Sequence, residues 1–181
     1  MKPWQHFKTI TYHRFLVRKG CFRVGLYWQG LTHDLSKYSP SEFWVGARLY
    51  QGNRSPNAAE RDLQGYSTAW MHHKGRNRHH YEYWTDMNRG TGRYESYPMP
   101  RKYLAEMVMD RIAACKVYQG NAYTDASALI YFENSRDKHL MHPQLRQELG
   151  HILEFLKEHG EKETFRYIRK LLKGTPFPWE G

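Results

Sequence analysis

The chain has 181 residues, 40% of them apolar and 15% aromatic, and carries 28 Lys and Arg against 18 Asp and Glu for a formal charge of +10. That length and apolar content suit one domain with its own core and exclude a disordered chain. No uncharged apolar run approaches the ~20 residues of a membrane-spanning helix, MKPWQHFKTI holds no apolar leader, and Cys21 and Cys115 stand far apart; integral membrane association and a disulfide framework are therefore not expected. A reducing cytoplasm is the expected compartment, and the positive charge favours an anionic partner such as a phosphorylated metabolite, nucleic acid or an acidic surface.

Apolar spacings of three and four, punctuated by Pro and Gly, predict an all-α, single-domain bundle of six to eight helices with no competing strand pattern. The first helix is expected from about Gln5 to Val17, ending near Gly20, and the second from Phe22 through His33 and Asp34. After a break, Ser39, Pro40 and Glu42 form an S-x-x-E capping box with proline at the first helical position, opening a third helix that stops near Gly52. Ser55-Pro56 opens a fourth helix, carrying Tyr66 and Trp70 toward a cluster from His72 to His80. The segment NRGTGRYESYPMP, Asn88 to Pro100, reads as a loop that could cover a site. Pro100 starts the clearest helix, which reaches about Gln119, and two amphipathic helices follow His142-Pro143, separated at Gly160. The basic residues Lys162, Arg166, Arg169 and Lys170 read as the solvated side of the last helix, and the tail GTPFPWEG as irregular.

Met107, Asp110, Ala114 and Val117 recur at spacings that put the Asp110 carboxylate on an apolar helix face, where it needs an ion-pair partner such as Arg14 or Arg18, or a metal. His13 shares a face with Ile10, Leu16 and Val17; alone it would more often be a hydrogen-bonded core histidine than a ligand. On the second helix Val24, Tyr27, Leu31 and Asp34 recur together, with His33 about 100° around the axis. Imidazole and carboxylate in company suit manganese, iron, zinc, cobalt or nickel better than calcium, which prefers an all-oxygen shell. The segment AWMHHKGRNRHHYEYW adds His72, His73, His79 and His80, too dense for routine core packing. If it is helical, His72 pairs with His79 and His73 with His80, but Gly75 could break the run, which leaves open which imidazoles face an ion.

The order His13, His33-Asp34, Asp110 resembles the H…HD…D signature of the HD-domain superfamily, mostly metal-dependent phosphohydrolases. The resemblance implies that these four residues bind one metal. Histidines between the HD pair and the last aspartate imply a second, which points to His73 and His80 as further ligands and to His72 and His79 as acid–base groups. HDLSK, His33 to Lys37, is similar to the HDxxK form of the HD-GYP branch and implies that Lys37 lies near substrate phosphate; otherwise Lys37 is a solvent-facing lysine at a helix end. KGRNRHH departs from the GYP motif, so cyclic-dinucleotide specificity is not implied.

Lys74, Arg76 and Arg78 would hold phosphate or form a solvated basic loop, and Glu82 and Asp86 stand in reserve as ligands or as partners of imidazole N–H groups. No G-x-S-x-G elbow, P-loop or dinucleotide-binding glycine pattern is present. The leading expectation is hydrolysis of a phosphoester, in a nucleotide or related metabolite, with one or two divalent ions and with Lys37 and Arg76 neutralising phosphate oxygens. A diiron oxygenase on the same scaffold is the first rival. A noncatalytic nucleic-acid-binding module, using the basic residues beside Tyr81, Tyr83 and Trp84, is the second.

Overall fold

The computed structural model describes residues 1–134 and 140–180. Among them are eight α-helices and one two-stranded hairpin, so the all-α class holds. α1 (Pro3–Val24) begins with proline at its first position and ends at Gly25, whose φ of 88° lets its N–H reach the carbonyls of Cys21 and Phe22. Gly20, expected near the helix end, lies inside it instead. A β-carbon there would stand 2.7 Å from Met109 Sδ, so this glycine serves a close helix crossing and not a stop.

α2 (Tyr27–Thr32) is short and stops before His33. Arg14 fixes this end to α1, its Nε donating to the His33 carbonyl at 2.7 Å and its Nη2 to that of Leu31 at 3.1 Å. A 3₁₀ turn leads to α3 (Pro40–Leu49), then α4 (Pro56–Gln64) and α5 (Thr68–Lys74). The single fourth helix of the sequence reading is therefore two, because Gly65 turns with φ 82° and Ser67 recaps the chain by accepting from Trp70 N–H.

The loop expected from Asn88 to Pro100 is partly ordered as a hairpin. β1 (Thr85–Asn88) pairs antiparallel with β2 (Arg93–Ser96), Thr85 opposite Ser96 and Asn88 opposite Arg93. Asn88 Oδ1 accepts from Gly90 N–H at 2.8 Å and shapes the turn. Neither strand buries a face, so the apolar alternation that announces a strand is missing from the sequence.

α6 (Arg101–Gln119) packs on α1, α7 (Ser127–Glu133) and α8 (Pro143–Leu172). Leu104 and Ala105 of α6 meet Ile152, Ile168 and Leu171 of α8, together with Phe177 from the segment after it. At Gly160 (φ 75°, ψ 170°) the backbone of α8 kinks, where the sequence separates two helices. Among the described residues no helix is long and apolar enough to cross a membrane.

α1 and α3 cross at Gly46, where an added β-carbon would sit 2.3 Å from His6 Nε2. His6 is buried against Phe43 and Tyr50. Gly46→Ala is expected to cost about 2 kcal/mol by overpacking, measured as a lower midpoint in urea unfolding with an unchanged slope.

Candidate metal centre

Each side chain of the centre is delivered by a different local device. α1 presents His13 among the buried residues Ile10 and Val17. After α2 the chain extends at His33 (φ −47°, ψ 127°) and then turns left-handed at Asp34 (φ 51°, ψ 29°). Asp34 is the only non-glycine residue with positive φ among the described residues. Such a conformation costs on the order of 1 kcal/mol and persists where the surroundings enforce it. This corrects the expectation that helical periodicity turns Asp34 inward. Tyr27 and Leu31, its supposed companions, are exposed, and the left-handed turn aims the carboxylate.

α5 supplies His73 and ends at Gly75; a turn closed by Arg76 N–H on the His73 carbonyl and His80 N–H on the Asn77 carbonyl then brings in His79 and His80. Asn77 Nδ2 ties this turn down, donating to Ser36 Oγ at 2.9 Å and to the His73 carbonyl at 2.8 Å. α6 contributes Glu106 and Asp110, one turn apart on its inward side.

These groups form two sets that share Asp34, which is 0% exposed. In the first set, His13, His33, Asp34 and Asp110 each offer an atom within 4.8 Å of the others; in the second, Asp34, His73, His79 and His80 do the same. Asp34 Oδ2 faces the first set, 3.2 Å from His33 Nε2 and 3.8 Å from His13 Nε2. Oδ1 faces the second, 3.2 Å from His73 Nε2 and 3.5 Å from His79 Nε2.

Asp34 Oδ2 is ion-paired with Lys37 Nζ at 2.6 Å, while the Nε2 atoms of all five histidines and Asp34 Oδ1 are buried without a hydrogen bond. This holds even where a carboxylate is near: His13 Nε2 lies 2.9 Å from Asp110 Oδ1, but the angles do not suit a hydrogen bond. An unsatisfied buried polar atom costs on the order of 1–3 kcal/mol, so six gathered around one carboxylate are a poor structural design but a good candidate ligand set. These buried groups could hold metal ions, and their nitrogen and carboxylate donors fit a first-row divalent cation.

The far sides of the rings are held by carboxylates. Glu106 Oε1 stands 2.9 Å from His33 Nδ1 and 3.2 Å from His79 Nδ1, one ring from each set. Glu42 lies 2.8 Å from His73 Nδ1 and 2.7 Å from His72 Nδ1. With an ion bound, these carboxylates would keep the proton on Nδ1 of His33, His79 and His73 and leave their Nε2 lone pairs toward the centre.

A model of the family of unknown function DUF5662 matches residues 2–155. The chain belongs to that family. No curated protein and no solved structure matches it. The matched span contains both ligand sets, Glu42 and Glu106, so the whole centre lies in the part this DUF5662 chain shares with its family.

Charge in the centre is balanced in detail. Burial by itself would push the His33 imidazolium down, but Asp34, Asp110 and Glu106 outweigh it and hold its pKa well above the ordinary value. His73 is raised in the same way, burial being overcome by Asp34 and Glu42. His13 and His80 are lowered, both chiefly by burial, His13 further by Lys37 and His80 by His79 and His73. Asp34 and Asp110 lie well below the usual carboxylate range, since the imidazoles around them, and Lys37 beside Asp34, overcome burial.

The raised pKa values of His33 and His73 favour their protonated forms, and an ion binding there would have to displace those protons. Metal loading near neutral pH is expected to release protons, measured by calorimetry in buffers of different ionisation enthalpy. The sign follows from the raised pKa values: release shrinks as pH climbs through them, and affinity falls as pH drops below them.

Of the other sequence candidates, Lys37 sits with Nζ 2.6 Å from Asp34 Oδ2, protonated because that carboxylate overrides the cost of burial. His79, expected as an acid–base group, stands in the second ligand set. His72 belongs to neither set and rests on Glu42. Arg76 is exposed and donates to the His72 carbonyl at 3.3 Å. Arg78, also exposed, stacks over Tyr83 and Tyr103. Asp86 is exposed on β1, accepting from Met87 N–H at 2.8 Å, and Glu82 lies against Tyr81; neither joins a ligand set.

Glu42 and Glu106 escape the sequence reading for different reasons. Glu42 imitates a capping-box residue, yet Ser39 makes no side-chain cap and the Glu42 carboxylate turns to the histidines. Glu106 carried a readable signal: it lies four residues before Asp110, between Leu104, Ala105, Met107 and Val108, as a second carboxylate on an apolar helix face.

Proposed function

We propose that the chain is a dinuclear metal-dependent phosphohydrolase acting on a nucleotide or a similar phosphoester. One observation carries this reading: the two oxygens of Asp34 face two separate sets of unpartnered imidazole nitrogens. The H…HD…D resemblance in the sequence supports it, as does the positive charge of the chain. Divalent ions there would supply electrophilic polarisation of a phosphoryl oxygen and acidify a water.

The chain's own groups do the rest. His13, His33 and Asp110 bind on one side of Asp34, and His73, His79 and His80 on the other. Lys37, a quarter exposed and fully charged, is the cation placed to meet substrate phosphate beside the shared carboxylate. His72, oriented by Glu42 and outside both ligand sets, is left to move a proton.

Elemental analysis of purified protein, followed by a panel of nucleotides and phosphorylated metabolites with manganese, zinc, cobalt, nickel or iron added back, tests the reading. Turnover that needs the metal and is lost in His33→Ala supports it. Two ions of iron with oxygen consumption and no phosphoester turnover would replace it with the oxygen-activating alternative, for which the same donors are suited. A chain that binds no transition metal overturns it.

A further inference from the structure

Residues 1–59 hold nine lysines and arginines but only two carboxylates, Asp34 and Glu42. Both are buried in the centre, so the surface built by this stretch exposes no carboxylate at all. The same stretch leaves large apolar side chains in solvent. Trp4 is 62% exposed on α1, and on α2 Tyr27 is 61% and Trp28 73% exposed, while Phe15, Leu31 and Leu35 are about half so. On α1 the residues Trp4, Lys8, Phe15, Arg18 and Phe22 fall on the side opposite the buried His6, His13 and Val17.

Contacts tie these residues together in two groups, one toward each end of α1. Phe7 stacks on Trp4 and meets Tyr38 edge-on, Arg14 lies over Tyr38 and bonds the Leu31 carbonyl, and Phe22 meets Tyr27. Singly exposed apolar residues are ordinary, but this many large ones exposed along two successive helices, among cations and without an exposed carboxylate from the same stretch, mark a docking surface.

We infer that the outer face of α1 and α2 docks on an anionic lipid bilayer. Aromatic rings and leucines set among Lys and Arg are what an interfacial surface requires, rings entering the headgroup layer and cations meeting lipid phosphate. A second copy of the chain is disfavoured, since two such faces would bring like charges together. Base stacking on a nucleic acid needs a row of free ring faces, and here Lys8 and Phe7 lie against Trp4, Arg18 against Phe15 and Arg14 against Tyr38, so that of the large rings on this face Trp28 is the one left open.

Flotation with vesicles of phosphatidylcholine alone, or with about 30% phosphatidylserine, tests this inference. Binding is expected only to the anionic vesicles and should weaken as salt rises from ~0.1 to ~0.5 M. The variant Lys8→Glu/Arg18→Glu/Lys19→Glu should lower partitioning by about two orders of magnitude. Trp4→Ser/Phe15→Ser/Trp28→Ser should lower it at least ~10-fold at unchanged charge. Lys162→Glu/Arg169→Glu/Lys170→Glu, an equal charge change on exposed residues of α8, should retain most of it. All six altered α1 and α2 residues are exposed, and unchanged helical circular dichroism confirms the folded state.

Equal binding to neutral vesicles, no binding to either, or equal loss in the α8 variant overturns the proposal. So does single-stranded oligonucleotide binding, or dimerisation by light scattering, that the Trp4, Phe15 and Trp28 changes abolish; the face would then belong to that partner.

Discussion

Asp34→Asn is expected to abolish binding at both ion positions, with affinity for each falling by more than ~100-fold, beyond what removal of an outer hydrogen-bond partner usually costs. The carboxylate is common to both ligand sets, and an amide offers one neutral oxygen where the protein now offers two anionic ones. Asparagine is the informative replacement because it tolerates the left-handed backbone at this position, so the variant removes charge without adding strain. His13→Ala and His80→Ala provide the comparison, since each belongs to a single set and should leave about one ion per chain. Elemental analysis after dialysis against a fixed free-metal concentration gives the counts. An Asp34→Asn protein that keeps both ions would show that the sets do not share this residue.

The second large effect is expected at Glu106. Its Oε1 takes the Nδ1 protons of His33 and His79, one ligand from each set, and no other outer carboxylate among the described residues does this. Glu106→Gln keeps the shape but loses the charge that makes both rings better donors, so both affinities should fall by ~10–100-fold. Glu42→Gln touches only the second set, through His73, and should weaken one ion by a similar factor while sparing the other. Stepwise titration against a chelating dye separates the two patterns. If Glu106→Gln weakens one step only, its bridging position has no energetic consequence.

These two residues also show what periodicity can and cannot reveal. Asp110 and Glu106 lie on a regular helix, where a carboxylate among apolar neighbours at fixed spacing is visible in the sequence. Helical spacing places Asp34 on an apolar face, but its inward aim comes from a left-handed turn that follows no period. The histidine cluster was conspicuous by composition. Its division between two tasks depends on the break at Gly75 and the Asn77-anchored turn, which send His73, His79 and His80 to Asp34 and leave His72 on Glu42.

The helical class, most helix starts, the break at Gly160 and the types of side chain that could hold a metal are legible along the chain, because proline, glycine and apolar spacing act locally. The hairpin is not, since its strands bury no face. Only the tertiary structure decided which donors converge, since α1, α5 and α6 meet around Asp34 through contacts between residues far apart in the chain, and such contacts leave no local pattern to read.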